Sequence, residues 1–156
     1  MIGKRIAVIA VAACLTVGTA CDRSGLSRPL RKSANRTMEL INQAEASGSE
    51  ADLDAADQGL AETKTKTQNP QDVHLTDVMD WYLIVLHRHN HERTAVWRQL
   101  CAEEVRLYLS GEPSGRIQVN ATPVLVKRGA CQAAAFEMMA EDCRLMGKPS
   151  SSCSLP

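Results

Sequence analysis

The sequence predicts a mainly α fold: a small, disulfide-stapled helical domain reached through an N-terminal export segment and a polar tether. Three observations carry this. Apolar residues recur at helical spacing in three stretches between residues 34 and 146, separated by Gly and Pro. All five aromatics fall between positions 81 and 136, so the folded core lies there and is thin for 156 residues. Six cysteines supply the staples that a thin core needs, in an oxidising compartment.

Residues 1–20 set the compartment. Lys4 and Arg5 form a positive start, Ile6 to Val17 is apolar but short for a membrane span, and Gly18-Thr19-Ala20 is a small-residue cleavage motif. Cys21 follows at once, which resembles a bacterial lipobox. By that resemblance residues 1–20 are a lipoprotein signal peptide, and Cys21 becomes the acylated first residue of the mature chain. A plainly secreted protein cut after Ala20 is the alternative. Each buried acyl methylene contributes about 0.8 kcal/mol, so two or three chains hold such a protein on a bilayer. Asp22, again by resemblance, favours the periplasmic face of the inner membrane, with the outer membrane as the alternative.

Removing Lys4 and Arg5 leaves 16 basic against 18 acidic residues, a balance that argues against a nucleic-acid partner. Residues 21–33 read as the lipidated cysteine and a polar tether. Its Arg28, Arg31 and Lys32 either lie against anionic headgroups or are simply solvated. Residues 34–70 read as weak helix. Met38, Leu40, Ile41 and Ala44 form one apolar patch and Leu53, Ala56, Leu60 and Ala61 another, as a helical hairpin or a partly ordered stalk. Asn69-Pro70 is expected to end that segment, because the residue before proline avoids helix.

Residues 71–156 form the expected head. Thr76 to Cys101 holds both tryptophans and three of the four histidines. Thr76 is read as an N-cap, with Val78, Tyr82, Val85 and Leu86 on one face and Met79 and Leu83 widening it. The polar run His87-Arg88-His89-Asn90 breaks the helix, and a second one carries Val96, Trp97, Leu100, Cys101, Leu107 and Tyr108 to a stop at Gly111 and Pro113. Arg116–Val119 and Val124–Val126 alternate as a strand pair would, although a covered loop fits equally. Gly129 to Met146 is the last helix.

With Cys14 lost and Cys21 acylated, Cys101, Cys131, Cys143 and Cys153 remain. Four cysteines allow three pairings, of which Cys101–Cys131 with Cys143–Cys153 is favoured. The first closes a long loop and contributes roughly 3–4 kcal/mol in the chain-entropy model. A zinc site is disfavoured because no CxxC pair is present.

Val78-x-x-Trp81-Tyr82, a His- and Arg-rich helix start, Cys101, and Cys131 followed by Ala133, Ala134 and Ala135 form a sequence pattern over residues 76–140. Together with the lipobox, it resembles the entry-exclusion lipoproteins of conjugative plasmids and mobile elements. The resemblance implies a binding role. Such a protein sits in the recipient envelope, recognises a protein component of the incoming mating apparatus, and blocks redundant DNA transfer. It implies the lipid bilayer, through Cys21, and that apparatus as partners, with no cofactor, no small-molecule substrate and no catalysis.

Trp81, Tyr82, His87 and His91 are the candidate partner contacts. A structural lipoprotein of a conjugation or type IV secretion machine is a second reading. A periplasmic metal-binding lipoprotein, carried by His87-x-His89-x-His91, is a third. No phosphate loop, zinc-protease motif or nucleophile elbow is present, and Glu103-Glu104 and Glu141-Asp142 read as solvated helix faces.

Overall fold

The computed structural model describes residues 23–88 and 94–147. They form five helices and one β-hairpin: α1 (Arg28–Ser47), α2 (Glu50–Lys64), α3 (Pro70–His87), α4 (Thr94–Ser110), β1 (Ser114–Val119), β2 (Thr122–Lys127) and α5 (Ala130–Leu145). The mainly helical fold holds, and the two alternating stretches pair as an antiparallel hairpin.

Helix α1 begins inside the segment read as a tether. Leu30, Ala34, Thr37, Ile41 and Ala44 are buried at helical spacing, so Leu30 already belongs to the core. Ser24 and Leu26 are buried too. The polar look of residues 22–33 hides two leucines at the right phase to pack. Gly48, in the left-handed region at φ 63°, ends α1 and returns its N–H to the Ala44 carbonyl. Ser49 then caps α2, accepting from the Asp52 N–H at 3.2 Å.

Helices α1 and α2 therefore form a tight hairpin rather than a stalk. Their contact is built from small and hydroxyl residues instead of aromatics. A Cβ on Gly59 would lie 2.7 Å from Leu40 Cδ1, so the helices meet closely there. Thr63 Oγ1 bonds Ser33 Oγ at 2.7 Å and Thr37 Oγ1 at 2.9 Å, which satisfies the buried hydroxyls.

Helix α3 is the centre. Its Leu75, Val78, Met79, Tyr82, Leu83, Val85 and Leu86 are all buried, as the periodicity predicts. Its start differs from the expectation. Asn69-Pro70 begins the helix: Asn69 is extended (φ −149°, ψ 169°) and its Oδ1 accepts from the Asp72 N–H at 3.0 Å. The extended residue before proline suits a helix start as well as an end, and proline suits the first turn. Thr76 lies mid-helix, with its hydroxyl donating to the Val73 carbonyl. Asp72 is fully buried and accepts from the Ser27 N–H at 2.9 Å and the Gln68 N–H at 2.8 Å, so it ties the start of α1 to that of α3. The two amides satisfy the carboxylate that burial would otherwise penalise.

Helix α4 ends in a Schellman turn, with Glu112 N–H donating to the Leu107 carbonyl and Gly111 at φ 73°. The β-hairpin turns on Asn120 and Ala121, both at positive φ (49° and 63°), as a two-residue type I′ turn requires. Its inner face, with Ile117 opposite Val124 and Gly115 opposite Val126, lies over α4.

The acid pair on α4 corrects another expectation. Glu103 pairs with Arg106 on the surface, but Glu104 is buried. Its two oxygens accept from the Gly129 N–H at 2.6 Å and the Cys131 N–H at 2.7 Å, at the start of α5. A carboxylate suits the positive end of a helix and fills its free donors.

Three substitutions test these contacts. Glu104→Gln is expected to lower unfolding free energy in urea by about 2 kcal/mol, because one charge-assisted bond is lost inside the core. An unchanged midpoint would contradict the buried tie. Ala121→Gly is expected to raise it by about 1 kcal/mol, since an alanine pays steric cost at positive φ. Gly111→Ala has the opposite sign, its Cβ meeting the Arg23 carbonyl carbon at 2.4 Å.

Candidate functional site

The accessible face richest in recognition chemistry lies between α3 and α5. Asp77, Asp80, Trp81 and Ile84 descend one side of α3, and Gln132 faces them from α5 around an open depression of about 420 Å³. Trp81 is half-buried. Phe136 of α5 holds its ring edge-on, at 5.1 Å between centroids and 80° between planes. One ring is thus fixed in direction while part of its surface remains accessible, which limits the ordering cost of a contact. Asp80 pairs with Lys64 of α2, whereas Asp77 is exposed and makes no ion pair among the described residues. An indole flanked by two carboxylates suits a partner surface that brings an apolar or cationic side chain.

The four residues expected to contact a partner do not stand together. Trp81 belongs to this depression. Tyr82, its neighbour, turns inward and is fully buried, so it is a core residue and not a contact. Consecutive helical positions point about a quarter-turn apart, which separates the pair. The Tyr82 hydroxyl donates to Glu45 Oε2 of α1 at 2.6 Å, and Glu45 Oε1 lies 3.5 Å from Arg98 Nε of α4. One carboxylate therefore joins three helices. His87 is exposed at the end of α3 and its Nε2 lies 2.9 Å from Asp57 Oδ2 of α2, beside a separate depression with Glu50, Leu53 and Asp54. His89 and His91 lie outside the described residues, as do Cys21 and Cys153. Among the described residues no group of three or more His, Cys, Asp or Glu is placed to hold a metal ion, and no helix is long and apolar enough to cross a membrane.

Cys101 and Cys131 form the expected disulfide, with 4.4 Å between Cα atoms, and both are fully buried. It joins α4 to the first turn of α5, one residue from Gln132, which lines the Trp81 depression. Cys143 is also disulfide-bonded, while its expected partner lies outside the described residues. Sequence reasoning missed Glu104. The available signal was its spacing of three residues from Cys101, which puts it on the apolar side of α4.

Both tyrosines have phenols pushed upward. Burial is the main cause at Tyr82, followed by its bond to the Glu45 carboxylate and by that group's charge. At Tyr108, burial leads, Arg128 above the ring (4.4 Å) opposes it, and Glu104 and Asp77 add to it. Comparison with known protein families, curated proteins and solved structures finds no match to this chain.

The phenol shifts have a definite sign. A folded-state value raised above the ordinary one means stability that is complete below about pH 10 and lost as pH rises beyond it. Tyrosinate absorbance is therefore expected to appear together with loss of helical circular dichroism in an alkaline titration. Ionisation of Tyr82 near pH 10 with the helices intact would contradict its burial.

Proposed function

We propose that this chain is a lipid-anchored binding module of the bacterial envelope that acts in entry exclusion. In this reading it binds a protein component of an incoming mating apparatus and blocks redundant DNA transfer. The observation that carries the reading is the Cys101–Cys131 disulfide. It joins the two cysteine segments on which the family resemblance rests, and the helix that it ties down, α5, carries Phe136, which holds the half-exposed Trp81. The lipobox at Cys21 supports the anchoring half of the proposal.

The work required is recognition rather than chemistry. Acylated Cys21 would hold the chain at the membrane, α3 would present Trp81 and Asp77, and the disulfide would keep α5 in register behind them. Contact with a partner would bury the remaining indole surface and pair the open Asp77 carboxylate with a cationic group. His87, at the far end of α3, is a second and separate contact candidate.

The test is a mating assay in which recipients express the gene alone and donors carry either the matching element or an unrelated one. Acquisition of only the matching element is expected to fall sharply. Equal acquisition of both elements, with the protein detected in the envelope, would overturn the proposal, and loss of transfer on deleting the gene from donors would favour a machine subunit. Trp81→Ala is expected to weaken partner binding by about thirtyfold, the scale of an interface hot spot, with the disulfide still formed. His87→Ala tests the second position.

A further inference from the structure

The described chain begins at one end of the molecule, and that end is basic. Ser24 is already buried, and its Oγ accepts from the Leu26 N–H at 3.2 Å and from Arg31. Gly25 lies against Gln71, and its carbonyl accepts from Asn69 Nδ2 at 3.2 Å. Gly111, at the end of α4, packs on the Arg23 and Ser24 backbone so closely that a Cβ there would overlap it. The chain therefore becomes part of the packed body three residues after Cys21. Three residues reach at most about 10 Å when fully extended.

Around this point the exposed charges share one sign. Arg28, Lys32 and Arg36 recur every fourth residue on the outward side of α1, with no carboxylate on that helix before Glu39. Arg23 is exposed beside them. Lys66 follows the end of α2, which the Ser33–Thr63 bond places next to the first turns of α1. Lys127 and Arg128 close the β-hairpin at the same end, where Arg128 Nη1 reaches Gln71 Oε1 at 3.4 Å. The neighbouring carboxylates are mostly engaged: Asp72 is buried on backbone amides, and Glu112 pairs with Arg106. Asp77 is exposed further up α3, and Glu62 borders the groove beside Arg36.

We propose that this pole, made by Arg23, Arg28, Lys32, Lys66 and Arg128, is a seat for anionic phospholipid headgroups that holds the body directly on the bilayer in one orientation. The inference rests on the acylation of Cys21 proposed above. It replaces the picture of a head spaced from the membrane by a tether. An acyl anchor within about 10 Å of the body keeps the basic pole inside the range where the surface potential of an anionic leaflet acts, roughly one Debye length. Anchor and seat then act as two linked signals, the second strengthened by proximity. In this orientation His87, at the opposite end of α3 from Asp72, stands away from the lipid.

The experiment uses the full chain, produced in a bacterial envelope and reconstituted into vesicles of phosphatidylcholine alone or mixed with phosphatidylglycerol. Lysine accessibility to an amine-reactive reagent is read residue by residue by mass spectrometry. Asn42→Lys supplies a reporter near the opposite end of α1, where position 42 is exposed. In anionic vesicles Lys32 and Lys66 are expected to react about tenfold more slowly than in neutral ones, with the protection lost in high salt and the reporter unchanged. Arg23→Glu with Arg28→Glu is expected to abolish the protection while circular dichroism stays the same. Equal reactivity in both vesicle types, with acylated Cys21 confirmed by mass, overturns the seat and leaves the anchor standing. A mass showing Cys21 unmodified overturns both.

Discussion

The Glu104 carboxylate is the tie on which the arrangement of the C-terminal half depends. Helix α5 begins after a hairpin, and without fixed partners for its first amides its start would have no defined place against α4. Glu104 fills two of those donors from inside the core, and the Cys101–Cys131 bond closes one turn away on the same side of α4. The two ties differ in kind. The disulfide limits how far the segments separate in the unfolded chain, whereas the carboxylate selects one orientation of α5 in the folded one. Asp72 repeats the device at the start of α3. In both places a buried acid is tolerated because backbone amides at a helix start receive it.

Much of this was legible in the sequence. The apolar phase of α3 from Val78 to Leu86 predicted which side chains are buried, because a helix enclosed by four others must show that phase. The stop at Gly111 was legible because only glycine enters the left-handed region at little cost. What misled was local chemistry with two meanings. Asn69-Pro70 serves a helix end or a helix start, and only the packing of Asp72 beneath Ser27 decides between them. Arg28–Lys32 looked like solvent-facing linker because its charges outnumber its leucines, yet Leu30 sets the phase of α1. Glu103 and Glu104 are neighbours in sequence, but the quarter-turn between adjacent helical positions leaves one at the surface and puts the other in the core. The Trp81-Tyr82 pair divides in the same way: one ring stays at the surface and the other enters the core.

The absence of aromatics from α1 and α2 did not make them loose. Close approach replaced bulk. Gly59 admits Leu40, and three hydroxyls satisfy one another where large side chains would have kept the helices apart. Aromatic content measures how much area one residue can bury, not how well two helices fit. The cost falls on tolerance. Such a contact accepts few substitutions, because any added carbon at Gly59 meets a side chain already in place.

The disulfide has a further consequence for a protein exposed to proteases. Arg116, Lys127 and Arg128 are exposed on the β-hairpin, in the only segment that links α4 to α5 through the backbone. A cut there would ordinarily free α5 as a short peptide. Here Cys101 and Cys131 flank the cut on opposite sides, so the two fragments remain one covalent molecule, and Glu104 still holds the start of α5 whenever the break falls before Gly129. Backbone continuity through the hairpin is thus dispensable for keeping α4 and α5 joined.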